Sequence, residues 1–246
     1  MTNTGIDGAM KDIYPRVHRF IAARLTPGEE LGLHFTVGIA LMLFAAWVFG
    51  GIAEEVVDAE EITILDEWLA RWFNARATPA FTQAMLYLTH AHNTAGMIIM
   101  TGVLGIYFYL HRARYWLLAL MVTVPGGMLL NLMLKHIFQR ARPTLDNPLL
   151  TLATYSFPSG HTVAATLFYG LIAAYFVCLT DRWKTRFLVV AAACFMVGLV
   201  GLSRMYLGVH YLSDVLAAIA EGCGWLAVCI TGVSTLRRRR AARAST

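Results

Sequence analysis

Charged side chains are scarce in this chain, and that scarcity is the first constraint on its class. Only 14% of the 246 residues are Asp, Glu, Lys or Arg, whereas 58% are apolar. A soluble domain carries about a quarter charged residues, so the composition excludes an ordinary soluble fold. Residues 31–53, 115–134 and 187–203 contain no charged residue at all. A helix of about 23 residues is roughly 34 Å long and crosses a bilayer core. The sequence therefore predicts a polytopic membrane protein.

Paired cysteines are also lacking. The four cysteines, Cys178, Cys194, Cys223 and Cys229, all lie inside apolar segments, and none forms a Cys-x-x-Cys motif. We interpret them as small buried apolar residues rather than as disulfides or metal ligands. The sequence gives no sign of a nucleic-acid partner, and we infer no obligate protein partner.

The apolar segments predict an all-α fold with six transmembrane helices. The spans are expected near residues 31–53, 93–110, 115–138, 160–180, 187–203 and 208–234. The uncharged stretch before residue 111 is too long for one crossing, so we expect a break at residues 89–93 and a short helix, Pro79–Leu88, outside the span. The chain then divides into a tail (1–30), a membrane domain (31–234) and a basic tail (235–246).

The distribution of basic residues predicts the orientation. Most Lys and Arg residues lie in the two tails, in residues 111–114 and in residues 181–186. By the positive-inside rule these segments, and hence both termini, are cytoplasmic. The N-terminal tail is expected to be retained, with an interfacial helix near Ile13–Leu25. The opposite face would carry the acidic segment 54–67 and an amphipathic stretch that follows it.

Three short polar clusters interrupt the apolar sequence, and all are expected on the face opposite the termini. The first contains Lys135 and Arg142-Pro143, the second is Pro158-Ser159-Gly160-His161, and the third contains Ser203-Arg204, His210 and Asp214. Because polar clusters at one depth of a bilayer tend to face each other rather than lipid, we predict that they form one site.

The cations suit an anionic ligand. Pro143 keeps Arg142 out of helical geometry, so the helix should end before it and the loop should turn over the site. A single Lys or Arg here could merely extend to the interface. Lys135, Arg142 and Arg204 together, however, supply the fixed donors that a phosphate dianion requires. Arg140 is a weaker candidate, as a contact to the substrate headgroup.

The second cluster predicts a helix start. Ser159 is a natural N-cap, Gly160 allows close approach of a ligand, and the amides of a first helical turn bind anions. His161 would project beside that anion, although a capping or interfacial histidine is the alternative interpretation.

His210 and Asp214 are spaced four residues apart, which places them on one face of a helix. The carboxylate can then accept the imidazole N–H, fix the tautomer and leave the other nitrogen free to attack phosphorus. A purely structural Asp–His pair is the alternative. A further acid, Glu221, lies two turns deeper on the same face. It either hydrogen-bonds, as a protonated acid, to a neighbouring helix or lines a water-filled extension of the pocket.

These three segments resemble the signature of the type 2 phosphatidic acid phosphatase superfamily, the lipid phosphate phosphatases. The pattern is Lys, six residues, Arg-Pro; Pro-Ser-Gly-His; then Ser-Arg, five residues, His, three residues, Asp. Every position is met between Lys135 and Asp214.

The resemblance implies a role for each matched residue. His210 would be the nucleophile, His161 the general acid and Asp214 the partner of His210. Phosphate would be bound by Lys135, Arg142, Ser159, Gly160 and Arg204, with no metal and no other cofactor.

The resemblance also implies a metal-independent phosphatase of a bacterial inner membrane, with its active site facing the periplasm or exterior. Expected substrates are undecaprenyl diphosphate, which we favour, phosphatidylglycerol phosphate and phosphatidic acid. A lipid phosphotransferase or lipid A phosphatase would use the same site. A soluble acid phosphatase or haloperoxidase is disfavoured by the spans. A non-catalytic lipid-binding or transport protein is disfavoured because every motif residue is retained.

Overall fold

The computed structural model describes residues 32–145 and 148–244, and the expected N-terminal tail and its interfacial helix lie outside them. The described residues form eight helices and no strands. The helices are α1 (Leu33–Val57), α2 (Glu61–Ala75), α3 (Pro79–Ala91), α4 (Thr94–Leu110), α5 (Arg114–Phe138), α6 (Gly160–Leu179), α7 (Trp183–Tyr206) and α8 (Leu212–Ala244).

Five of these helices, α1, α5, α6, α7 and α8, are long and apolar enough to cross a membrane. A sixth candidate span is the pair α3–α4, whose helices meet at an angle of 54° across a short break. The break falls at His92-Asn93, where the Asn93 side chain accepts the backbone N–H of Gly96 and caps α4. The all-helical fold with up to six candidate spans was therefore predicted correctly, and α3 matches the separate helix expected before α4, although the sixth span requires α3 and α4 together.

Helix α6 lies at the centre and is the most deeply buried of the spanning helices that the structure describes. Its residues Leu167, Leu171 and Tyr175 pack with Phe108 of α4 and Leu120 of α5. This apolar cluster occupies the middle of the bundle, while the polar residues collect at one end. The same helices thus supply both the core and the framework of the site.

Close helix contacts depend on small residues. A Cβ on Gly222 of α8 would lie 2.7 Å from Cγ2 of Thr166, and one on Gly201 of α7 would lie 2.6 Å from Cγ1 of Val215. Neither distance is compatible with a side chain, so these glycines allow α8 to approach α6 and α7 closely. The approach brings the beginnings of α6 and α8 together at the end of α7.

The cysteines are free, but only Cys229 is buried; the other three are exposed on helix surfaces. The expectation that all four are buried was therefore wrong. The outer surface of a spanning helix is itself apolar, so an apolar run does not imply burial inside the protein.

Candidate phosphate-binding active site

His210 and Asp214 are in contact, as the spacing predicted. The His210 Nδ1 atom lies 3.1 Å from Oδ2 of Asp214, and both side chains are buried. His210 is not on a helix, however, because α8 begins at Leu212 rather than near residue 208. The same carboxylate oxygen accepts the backbone N–H of Tyr211 at 2.9 Å. The Asp214 side chain thus bonds to the backbone three residues before it, at the position where a longer α8 would have continued.

The second nitrogen of His210 faces a guanidinium group. Its Nε2 atom lies 3.2 Å from Nη1 of Arg142. Since Arg142 can only donate, Nε2 accepts and Nδ1 carries the proton toward Asp214. Burial lowers the pKa of His210 to about 3, although contact with Asp214 acts in the opposite direction. The imidazole is therefore neutral near pH 7, with its lone pair on Nε2.

Arg142 also fastens the loop that leads to α6. Its Nε and Nη2 atoms donate to the backbone and hydroxyl oxygens of Thr154, at 2.7 and 2.8 Å. Nη2 reaches the Tyr155 carbonyl at 3.1 Å as well. Helix α5 ends at Phe138, before Arg142, as Pro143 predicted. The loop turns back over the site.

Lys135, in the last turn of α5, points to the same loop. Its Nζ atom donates to the carbonyls of Tyr155 and Ser156, at 2.8 and 3.2 Å. Its charge is close enough to Arg142 and Arg204 to act on both. Two of the three predicted cations thus hold the same short loop.

The segment Ser159-Gly160-His161 starts α6, as predicted, with Ser159 at the N-cap position. The Ser159 hydroxyl does not cap the helix; it forms a hydrogen bond of 2.9 Å with the hydroxyl of Thr162. A Cβ on Gly160 would lie 3.2 Å from Oδ1 of Asn131, so α5 approaches the backbone closely here. His161 lines the adjacent cavity and lies within electrostatic range of Arg204 and His210.

Arg204 is almost fully buried, with 1% of its surface exposed. Its Nη1 atom donates to the hydroxyl of Thr89 on α3. Its Nε and Nη2 atoms have no hydrogen-bond partner within the described residues. Buried donors are almost always satisfied in native proteins, so two unpaired N–H directions on one guanidinium indicate a position for an anion.

A cavity of about 1050 Å³ opens beside Lys135, Gly160 and His161, whereas Arg142, Arg204 and His210 do not line it. Lys135, Tyr155, Gly160 and His161 line its polar end, and helices α4 and α5 form the rest. That remainder is apolar and is lined among others by Ile98, Met121, Val124, Met128 and Leu132. Ile98 and Leu132 line this cavity and are more than half exposed, so the cavity is open at the side formed by α4 and α5.

The cavity also includes a residue whose partner the sequence did not predict. His92 is buried, and its Nε2 atom lies 2.8 Å from the Tyr169 hydroxyl. The two residues are 77 positions apart, so no local spacing could have indicated their contact.

Arg140 does not face this cavity, contrary to our expectation of a headgroup contact. Its guanidinium donates to Asp214 and to Asp66 of α2, at 2.7 and 2.8 Å. Asp66 is itself buried and was not singled out from the sequence. It lies in an amphipathic segment among other acids, and an acidic residue in such a segment is normally exposed to solvent, so nothing marked Asp66 as buried.

Glu221 accepts a hydrogen bond of 3.0 Å from Nδ2 of Asn131 on α5. This matches the simpler of the two interpretations, a bond to a neighbouring helix. Among the residues that the structure describes, no group of three or more His, Cys, Asp or Glu is arranged to hold a metal ion.

Known proteins resemble this chain in sequence. Residues 114–238 match the family model of the PAP2 superfamily. The chain is 29% identical over 171 residues to phosphatidylglycerophosphatase B of Bacillus subtilis, covering 69% of this chain and 78% of that protein. It is 34% identical over 124 residues to lipid A 1-phosphatase of Rhizobium etli, covering 46% of this chain and 48% of that protein.

Two crystal structures have a similar fold. One is the transmembrane PAP2-type phosphatidylglycerolphosphate phosphatase of Bacillus subtilis, with a TM-score of 0.65 and 27% identity over 78% of this chain and 94% of that one. The other is LpxE of Aquifex aeolicus, with a TM-score of 0.54 and 22% identity over 67% and 94%. The second likeness is one of fold.

The helical membrane fold and the polar site together define an integral-membrane hydrolase of phosphate esters. The chain belongs to the PAP2 superfamily, and it is a lipid phosphatase.

Proposed function

We propose that this protein hydrolyses a lipid phosphate through a phosphohistidine on His210. The observation that carries the proposal is the environment of that imidazole: Asp214 is hydrogen-bonded to its Nδ1 atom, and Arg142 is hydrogen-bonded to its Nε2 atom. Nearby, the Nε and Nη2 nitrogens of Arg204 have no hydrogen-bond partner among the described residues. A neutral, oriented nucleophile beside preorganised cations is what phosphoryl transfer requires.

In the first step, Nε2 of His210 attacks phosphorus, and the bond between phosphorus and the lipid oxygen breaks. His161 donates a proton to the departing lipid oxygen. Asp214 stabilises the positive charge that develops on the imidazole, because its carboxylate faces Nδ1. The products of this step are the lipid alcohol and the phosphorylated enzyme.

In the second step, water attacks phosphorus and gives a proton to His161. The N–P bond breaks, and its electron pair returns to His210. Inorganic phosphate leaves, and His161 again carries the proton that it donates in the next cycle. The same residue thus serves as acid and then as base.

Lys135, Arg142 and Arg204 would neutralise the phosphate, with Ser159 and Gly160 contributing groups at the start of α6. These cations take the role that divalent metals have in other phosphoryl-transfer enzymes. We therefore expect unchanged turnover after dialysis against EDTA. A loss of activity that Mg²⁺ restores would contradict this assignment.

Among possible substrates, phosphatidylglycerol phosphate is supported by the name of the Bacillus subtilis relative. The apolar cavity between α4 and α5 is of a size and chemistry suited to acyl chains. Undecaprenyl diphosphate, which the sequence favoured, phosphatidic acid and a lipid A phosphate are the competing substrates.

We also propose that the site faces the periplasm or exterior of a bacterial inner membrane, with both ends of the chain in the cytoplasm. The Arg237–Arg240 run lies near the end of α8, whereas Asp214 lies in its first turn. Asp214 and Arg237 are 23 residues apart on this helix, about 35 Å along its axis, which supports placing the basic run and the site on opposite sides of the membrane. Reporter fusions at residue 246 test the assignment: alkaline phosphatase should be inactive there and a cytoplasmic reporter fluorescent.

The decisive experiment is phosphate release by the purified protein in detergent with EDTA present. The panel contains phosphatidylglycerol phosphate, phosphatidic acid, undecaprenyl diphosphate and lipid A 1-phosphate, and His210→Gln is the control. Hydrolysis of one lipid with at least a tenfold preference in kcat/KM identifies the substrate. Transfer of phosphate to an added alcohol instead of water would indicate a phosphotransferase, and release by His210→Gln at the wild-type rate would reject the mechanism.

A further inference from the structure

Asp66 is a buried carboxylate on a helix that otherwise resembles an interfacial one. Helix α2 exposes Ile64, Trp68 and Trp72 on one face. Asp66, two positions from Ile64 and Trp68, lies on the opposite face, and only 1% of its surface is exposed. An ionised carboxylate is buried only where charged or hydrogen-bonding partners compensate for lost hydration. The partners of Asp66 are therefore informative.

Asp66 bonds to the beginning of α8. Its Oδ1 atom accepts the backbone N–H of Ser213 at 3.0 Å, and its Oδ2 atom accepts the Ser213 hydroxyl. The first N–H groups of a helix have no partner inside that helix. A carboxylate from α2 thus caps α8 from outside, in the turn that carries Asp214.

Asp66 also holds one end of Arg140. The Oδ2 atom of Asp66 accepts from Nη2 at 2.8 Å, while Nη1 of Arg140 donates to Oδ1 of Asp214 at 2.7 Å. The guanidinium lies over the ring of Tyr211, with its Cζ atom 4.4 Å from the centroid. Burial tends to lower the pKa of Arg140, but the Asp214 and Asp66 carboxylates raise it overall. The guanidinium is a fixed charge between two carboxylates.

These bonds continue to the nucleophile. Asp214 uses Oδ1 for Arg140 and Oδ2 for Ser156, His210 and Tyr211. With both oxygens held, the carboxylate plane cannot rotate about its side chain. The orientation of the His210 ring depends on that plane, because its Nδ1 atom bonds to Oδ2.

We propose that Asp66 is a positioning residue for His210, acting through Arg140 and Ser213 on Asp214. The proposal rests on the proposed function of His210 as nucleophile. Asp66 does not line the cavity and is linked to Asp214 through Arg140, so we expect it to affect the chemical step rather than substrate binding. Without its charge, Arg140 keeps a single carboxylate partner, and only one side-chain oxygen at position 66 remains to accept from Ser213. Asp214 then no longer presents Oδ2 to Nδ1 in one orientation.

The experiment compares Asp66→Asn with Glu67→Gln, a matched change at the next position of α2. Glu67 is exposed and pairs with Arg71 on the surface. With phosphatidylglycerol phosphate and phosphatidic acid as probes, Asp66→Asn should lower kcat between about 10-fold and about 100-fold while KM changes little, since small misplacements of reacting groups have effects of this size. Glu67→Gln should match the wild type. Rates are expressed per mole of protein in the monodisperse fraction from size-exclusion chromatography.

A double-mutant cycle separates positioning from general stability. In an Asp214→Asn background, the further change Asp66→Asn should have little additional effect on kcat, because the path to His210 is already broken. If Asp66→Asn does not fold, Arg140→Lys carries the test, since one ammonium group cannot bond both carboxylates in the geometry of the guanidinium. It should show the same loss of kcat.

Two results would overturn the proposal. The first is wild-type kcat in folded Asp66→Asn or Arg140→Lys, and the second is full additivity with Asp214→Asn. Either result, with His210→Gln inactive in the same assay, rejects the positioning role alone. An active His210→Gln rejects the proposed function as well.

Discussion

The two ends of helix α6 have different surroundings, although α8 packs against both. At its beginning, the buried neighbours are polar or charged: Arg204 of α7 and Asp214 of α8, with Ser156 in the preceding loop. Toward its end, Leu171 and Tyr175 pack in an apolar cluster. The polar end is held by directional hydrogen bonds that few other side chains can form, whereas the packing of the apolar end depends mainly on side-chain volume. Changes at the first should affect catalysis and changes at the second should affect stability.

The largest effect on activity is expected from His210→Gln. Loss of the nucleophile should lower kcat by about 10⁴-fold or more. The variant should still fold, because Asp214 keeps its bonds to Arg140 and Ser156. Phosphate release and the thermal midpoint of the purified protein measure the two properties. An unchanged kcat would show that His210 is not the nucleophile and that the polar end of α6 is not where catalysis occurs.

The next effect is expected from Arg204→Lys, which keeps the charge and removes the fork of donors. Two N–H groups without partners in the described residues would be lost from the anion position. Removing one preorganised donor typically lowers kcat by about 100-fold. Arg71→Lys, an exposed change on α2, is the control. Equal kcat values for the two variants would show that the Arg204 donors do not contact the phosphate.

Leu171→Ala tests the apolar end. The side chain is fully buried, and truncation of such a leucine lowers stability by about 2–5 kcal/mol. We expect a lower thermal midpoint with an unchanged kcat per folded molecule. Leu188→Ala, on the exposed face of α7, should leave both unchanged. A fall in kcat for Leu171→Ala at constant stability would mean that the two ends are coupled.

The smallest effect is expected from Glu221→Gln. A glutamine retains an oxygen that can accept from Asn131, so the hydrogen bond between α5 and α8 remains. Activity should stay within about 2-fold of the wild type, as expected when a hydrogen bond is preserved, and its pH profile should not change. A displaced pH profile would instead assign Glu221 to a wet extension of the active site.

The sequence predicted those parts of the site that depend on local spacing or on helix ends. The start of α6 follows from Ser159-Gly160. The contact between His210 and Asp214 was predicted from their spacing, but His210 precedes α8, so a shared helical face is not what brings them together. The contact of Asp66 with Arg140 links residues 74 positions apart. Nothing in the amphipathic pattern of α2 distinguishes Asp66 from the exposed acids around it. The Arg204–Thr89 bond escaped prediction for the same reason, since it requires knowing which helices meet.

The sideways opening between α4 and α5 determines how the enzyme meets its substrate. A lipid that enters through Ile98 and Leu132 arrives by diffusion within the bilayer plane, so the relevant concentration is a mole fraction in the membrane and not a molarity in water. Turnover should follow surface-dilution kinetics and fall as neutral lipid is added at constant total substrate. The two products then separate into different phases, since the lipid alcohol returns to the bilayer and inorganic phosphate is soluble in water.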